Sequence, residues 1–231
     1  MTLSPEEWTT ILLSLRVAFL ATLICLPISV ALAWVLARKE FWGKSALNSI
    51  IHLPLVLPPV VTGYLLLVAF GKHGVIGGFL ERTFGLVFAF RWTGAALAAA
   101  VMALPLMVRA IRISMEAIDQ RLEGAAATLG ASPLKVFATV TLPLAVPGIL
   151  AGLIITFVKA LGEFGATITF VSNIPGETQT LALSIYSFLQ APGGDAAAWR
   201  LILISIALAF AALLASEILA IRLARRMDGS S

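Results

Sequence analysis

Lys159 and Glu163 stand four residues apart inside an otherwise apolar run, IITFVKALGEFGATITF. On a helix this spacing sets both side chains on one face. Each charge costs roughly 2.5–3.5 kcal/mol in a bilayer core, and a lysine–glutamate pair offsets part of that. Two readings follow: a structural pair facing a bundle interior, or a face that lines a path across the membrane. Phe164, Gly165 and Thr167 come next. Small and hydroxyl residues beside a phenylalanine suit a constriction that closes by packing and opens by helix tilt. Pro54, Pro58 and Pro59 cluster in HLPLVLPPVVTG. Each removes a backbone N–H, and irregular backbone in a membrane must face protein or a water-filled cavity. The cluster reads as a wall of a translocation route or as a kink that only shapes packing.

A second constellation is more polar, the stretch from Glu123 to Pro143, EGAAATLGASPLKVFATVTLP. Asp119 is placed to cap a helix over Gln120–Leu129, its carboxylate accepting the free N–H groups of the first turn. Gly130 sits where a left-handed residue stops that helix. Ser132 and Pro133 are a good N-cap and first residue for the next one. The expectation is two short helices with a sharp corner, and Ala125, Ala126 and Ala127 leaving one surface flat enough for another protein. The plainer alternative is an amphipathic connector.

Other chemistry lacks its residues. There is no GxxxxGK[ST] to cradle phosphates. Ser-His-Asp, paired-Asp and HExxH arrangements are absent from the sequence, so no catalytic residue is assigned. Cys25 is the single cysteine, which excludes an intrachain disulfide, and its apolar neighbours make it a small buried hydrophobe. His52 and His73 are isolated and show no metal-ligand spacing, so no metal is expected.

These residues must be positioned by membrane helices. The chain is 60% apolar and 12% charged, with a mean hydropathy of +1.00. Soluble domains run at about 45–50% apolar and about 25% charged. The excess lies in long runs, which predicts an all-α polytopic membrane protein of about five spans. The spans are expected near Thr10–Leu36, Ser49–Phe70, Thr93–Ile113, Ala145–Val171 and Ala198–Ala220. Pro27 is a candidate bend in the first, residues 71–91 form a Gly-rich connection, and TLALSIYSFL suggests a short helix. The acidic N-terminus, MTLSPEEW, does not read as a secretory signal, so the first run is taken as a retained span.

Net charge is +4, and the basic residues flank apolar runs, so they read as topology signals rather than a nucleic-acid surface. The richer set of connections holds Arg38, Lys39, Lys44, Arg109, Arg112, Arg121, Lys135, Arg222, Arg225 and Arg226. The poorer set holds Lys72, Arg82, Arg91 and Arg200. The bias puts the N-terminus outside and the C-terminus in the cytoplasm, with Glu123–Pro143 cytoplasmic. Arg16 is expected to snorkel to the outer interface and Glu217 to pair with Arg222 or a neighbouring helix. No internal repeat is visible, which weighs against a single-chain secondary transporter.

The Glu123–Pro143 stretch resembles the EAA loop of ABC-importer permeases, the binding-protein-dependent type with the MetI-like fold. The family pattern runs Glu-Ala-Ala, then Gly, then Ile, one residue, and Leu-Pro. Ala125, Ala126, Gly130, Leu142 and Pro143 match it, with Val140 for Ile, and Ala131 joins them among the residues implied to couple to the ATPase. Gly124 stands where the strict pattern has Glu, and Glu123 lies one place earlier. The resemblance implies a single permease domain over residues 1–231, its core about 10–222 and its coupling loop about 119–143. It implies that the loop docks in a cleft of a separate ATPase subunit. Within the family, molybdate permeases are similar at LPLVLPPVVTGYLLL, LGEFGATITFVSNIPGETQTL and APGGD. Sulfate and thiosulfate permeases share a looser version.

What the resemblance implies is an importer of molybdate, with tungstate as a second candidate cargo. Two identical permeases, two ATPase subunits and an extracytoplasmic molybdate-binding protein would assemble in the bacterial inner membrane. ATP would be used by the partner, with no cofactor bound by this chain. The alternatives are a sulfate or thiosulfate permease, or a stand-alone channel or secondary transporter.

Overall fold

The structure is a computed structural model that describes residues 3–228, with side chains described through Ala215 and at Ile218. Helices α1 (Pro5–Arg38), α5 (Trp92–Glu116) and the Asp195–Ala215 part of α12 (Asp195–Asp228) are each long and apolar enough to cross a membrane alone. Two bent pairs raise the number of candidate spans to five among the described residues.

α1 begins with a reciprocal cap: Ser4 N–H donates to Glu7 Oε2 at 2.7 Å, and Glu7 N–H donates to Ser4 Oγ at 3.1 Å. Pro5 holds the first helical position, where no intrahelical donor is lost. The helix continues through Pro27 to Arg38, 34 residues in all. At 1.5 Å per residue it is about 51 Å long, so its ends project beyond a bilayer core of about 30 Å. It packs on α5 across an alanine run, with Ala95, Ala96, Ala98, Ala99 and Ala100 all buried. Small side chains let the two backbones approach closely. There Cys25 Sγ–H donates to the Ala100 carbonyl at 3.2 Å, which makes it the buried residue expected.

The second and fourth spans are not single helices. The second is α2 (Lys44–Val56) and α3 (Pro59–Phe70), bent by 112°. Pro58 and Pro59 supply no N–H, and the residue before a proline is driven out of the helical region; Leu57 is extended at ψ 144°. The fourth is α9 (Val146–Leu161) and α10 (Gly165–Val171), interrupted at residues 162–164. The expected Gly-rich connection over residues 71–91 contains a further helix, α4 (Val75–Phe84), closed by Gly85 in the left-handed region at φ 67°. α11 (Leu181–Gln190) is the short helix expected. Leu181 N–H donates to the buried Ser14 Oγ at 2.7 Å, which ties α11 to α1.

Between α5 and α9 lie α6 (Gln120–Thr128), α7 (Pro133–Val136), a π-helical turn (Phe137–Thr141) and α8 (Leu142–Leu144). α7 through α8 meets α9 at 67°. α9 then lies close on α5. A Cβ at Gly152 would stand 3.0 Å from Met107 Cγ, and one at Gly148 would collide with Ser114. Near the start of α1, Arg200 Nη2 of α12 meets Glu7 Oε1 at 2.7 Å, and Glu7 is 1% exposed. Arg16, expected to snorkel, is exposed and sits 5.4 Å above the Trp92 ring. The side chains of Glu217 and Arg222, expected to pair, lie outside the described residues.

Candidate functional site

The polar elbow forms as its local residues dictate. Asp119 Oδ1 accepts from Arg121 N–H at 2.9 Å and opens α6. Gly130 takes φ +83°, the left-handed corner between α6 and α7. Ser132 Oγ accepts from Lys135 N–H at 3.4 Å, with Pro133 in the first helical position. No residue of α6 is buried, so Ala125 and Ala127 present an open face. Ala126 and Ala131 are half-buried beside it. Leu122, Leu129 and Leu134 project from the same elbow, Leu129 at 89% exposure. These apolar tips stand on an otherwise polar element. Leu142 and Pro143 lie at the far end, half-buried and exposed, where the elbow turns into α9.

Glu123 is not part of that open face. Its carboxylate, which the resemblance places in the docking loop, turns inward. Glu123 Oε2 is 2.8 Å from Arg38 Nε, and Oε1 accepts from Thr141 Oγ1 at 2.6 Å. The pair is largely buried, with side-chain exposures of 9% for Arg38 and 17% for Glu123. Glu123 therefore fastens α6 to the end of α1 and to the π-helical turn. The neighbouring position is the outward one: a Cβ at Gly124 would meet nothing within 4 Å. The one-residue offset from the strict Glu-Ala-Ala pattern thus separates an internal latch from the open face of α6. Sequence reading missed Arg38 and Thr141 as its partners. Arg38 carried only a charge-bias signal, and nothing local announces a contact 85 residues away.

The second group gathers where the two broken spans cross. A Cβ at Gly165 would stand 2.7 Å from Pro59 Cβ, and one at Gly63 would stand 2.5 Å from the Ala166 carbonyl oxygen. The start of α3 and the start of α10 are therefore in direct contact, and only glycine fits the seam. Pro58 and Pro59 are exposed on their other side, with Val60 and Tyr64, whereas Pro54 lies half-buried within α2. Lys159 Nζ and Glu163 Oε2 pair at 2.7 Å, but not along a continuous helical face. Lys159 is in the last turn of α9, while Glu163 lies in the break. Glu163 Oε1 also accepts from Ala166 N–H at 3.1 Å, so this buried carboxylate closes the first turn of α10. Its charge suits the positive end of a helix and offsets the Lys159 ammonium.

Phe164, in the break, packs on Tyr186 of α11 with ring centroids 5.0 Å apart. Sequence reading missed Tyr186, which is 47% exposed. Thr167 is a correction. It is buried at 1% exposure, so its hydroxyl does not face open space within this chain. The residues brought together are Pro59 with Gly165, Lys159 with Glu163, and Phe164 with Tyr186.

Residues 26–225 match the family described as "Binding-protein-dependent transport system inner membrane component". The chain is 57% identical over 229 residues to the molybdenum transport system permease protein ModB of Escherichia coli K12, covering 99% of this chain and 100% of that one. It is 57% identical over 221 residues to the Haemophilus influenzae protein of the same name, covering 96% of each. A sulfate transport system permease protein of Salmonella typhimurium is more distant, at 34% over 187 residues, covering 81% of this chain and 67% of that one. Among solved structures, a bacterial ABC transporter involved in import of the polysaccharide alginate superposes with a TM-score of 0.70. That match covers 97% of this chain and 80% of the other at 20% identity, which speaks to the fold. The chain belongs to the inner-membrane components of binding-protein-dependent transport systems, as a multi-pass helical permease.

Proposed function

We propose that the chain is the transmembrane subunit of an ATP-driven importer that carries molybdate, and tungstate as a second tetrahedral oxyanion, across the inner membrane. The observation that carries the cargo is the 57% identity to a molybdenum permease along essentially the whole of both chains. The sulfate permease is similar over less of its length and at lower identity, so sulfate is the secondary reading.

On this reading the elbow is the coupling element. Ala125, Ala126, Gly130 and the exposed Leu122 and Leu129 dock in a cleft of an ATPase subunit, which binds and hydrolyses the ATP; this chain itself binds no cofactor. Movement of the elbow passes through the π-helical turn and α8 into α9. The far end of α9 is the break that holds Lys159, Glu163 and Phe164. A second copy of the chain completes the route, because five spans enclose little interior, and the exposed Pro58, Pro59, Val60 and Tyr64 offer it an apolar face. A soluble binding protein delivers the oxyanion from outside. The lysine and arginine bias supports an outside N-terminus and a cytoplasmic elbow and C-terminus.

The test uses vesicles holding the permease, its ATPase and its binding protein. Molybdate should stimulate ATP hydrolysis and sulfate should not; stimulation by sulfate alone would overturn the cargo. Orientation is read from single cysteines at Ser132 and Ser172 in a Cys25→Ala background, which should label from opposite sides.

Gly130→Val is expected to uncouple the machine. An L-residue in the left-handed region costs about 1–2 kcal/mol, and β-branching adds to it. Uptake should fall at least about fivefold, while the spans melt at the parent temperature. Uptake at the parent rate would refute the corner's role.

A further inference from the structure

An apolar groove runs along α1 on the side that faces α9. Its inner part, a cavity of about 890 Å³, lies between Val30 and Trp34 of α1 and Leu134, Phe137 and Ile149 of the elbow and α9. A second cavity of about 440 Å³ continues it past Leu26, the residue common to both, up to Phe19, with Phe157 opposite. From Phe19 to Trp34 the helix rises about 22 Å, more than the roughly 15 Å half-thickness of a bilayer core. Shape and chemistry fit one extended hydrocarbon chain.

The inner mouth is cationic. Lys39 Nζ stands 5.2 Å over the Trp34 ring, and Trp34 meets Phe137 edge-on at 5.7 Å. Lys135 follows Pro133 and Leu134, which line the mouth. Nearby charges are otherwise committed: Glu40 to Lys44 at 2.6 Å, and Arg38 to Glu123. Among the described residues neither Lys39 nor Lys135 has an acidic partner. We infer that this groove is a binding site for an anionic phospholipid of the surrounding bilayer. Its acyl chain lies between α1 and α9, and its phosphate sits at Lys39. The site needs the membrane-embedded fold and does not depend on the cargo. Because it touches the elbow at Leu134 and Phe137, its occupancy bears on the coupling element.

The test uses the transporter purified with its partner subunits and placed in phosphatidylcholine vesicles. These are doped with acyl-brominated phosphatidylglycerol or acyl-brominated phosphatidylcholine. Bromine quenches tryptophan on contact, and subtracting a Trp34→Phe variant isolates the Trp34 emission. Brominated phosphatidylglycerol should quench Trp34 at about a fivefold lower mole fraction than the zwitterionic lipid, the preference one surface lysine confers. Lys39→Gln, at an exposed position, should erase that difference, and Ala31→Phe should reduce quenching by both lipids. Equal quenching by the two lipids in the parent chain would overturn the inference, as would an unchanged preference in Lys39→Gln. Absence of quenching by either would mean that a partner subunit or second copy covers the groove, and would also overturn it. Each of these outcomes can be read whether or not molybdate stimulates ATP hydrolysis.

Discussion

Arg38→Ala is expected to raise hydrogen exchange at the α6 amides about a hundredfold and to lower molybdate uptake at least tenfold while ATP hydrolysis persists. The guanidinium is the partner of a carboxylate that is itself largely buried, at 2.8 Å. Removing one member of a buried ion pair costs about 3–5 kcal/mol, because the other charge is left uncompensated. The lower end applies here, since Glu123 keeps the Thr141 hydroxyl and some contact with water. About 3 kcal/mol corresponds to roughly a hundredfold in a local opening equilibrium. The opening is local because no residue of α6 is buried, so little besides this latch holds it to the spans. On the proposed coupling role, an α6 that swings free of α1 would still meet an ATPase but would move α9 less. Glu123→Gln should act in the same direction, and exchanging the pair, Arg38→Glu with Glu123→Arg, should recover part of the loss. Parent-like exchange at α6 in Arg38→Ala would show that the latch does not hold the elbow.

Gly63→Ala should force apart the seam where the two broken spans cross. Its Cβ would stand 2.5 Å from the Ala166 carbonyl oxygen and 2.9 Å from both Ala166 Cα and Thr169 Cβ. Two of these atoms are backbone, so no side-chain rotation relieves the clash, and α3 and α10 must part. Overpacking a close seam costs about 1–3 kcal/mol. The separation also falls where Pro59 meets Gly165, next to the break that carries Glu163 and Phe164. The expected result is a melting temperature lower by several degrees and uptake reduced more than tenfold. Gly78→Ala is the control, because its nearest neighbour, at 3.4 Å, is an ordinary contact. Equal behaviour of the two variants in thermal melts and uptake would remove the seam from the route.

Local chemistry was legible in the sequence where the deciding atoms are neighbours in the chain. The caps at Asp119 and Ser132, the left-handed corner at Gly130 and the short helix over Leu181–Gln190 each depend on residues within a turn or two, and each forms as expected. The apolar runs likewise announced membrane helices, because crossing a bilayer demands length and composition that no soluble element shares. The Lys159–Glu163 pair was also readable from its spacing, although its backbone setting was not.

Tertiary structure decided the rest. An unbroken apolar run looks the same whether the chain crosses straight or turns by 112°, since hydropathy does not record where backbone hydrogen bonds are abandoned. Pro27 stays within a continuous α1, whereas Pro58 and Pro59 split their span; two adjacent missing donors were the available signal, and a Gly-lined partner at α10 fills the corner. Thr167 was readable as a hydroxyl but not as a buried one, because burial is set by what packs against it. Glu123 was readable as the acid of a docking motif. Arg38 and Thr141, 85 and 18 residues away, turned it inward. A carboxylate settles where the nearest buried cation lies, and only the folded chain determines which cation that is.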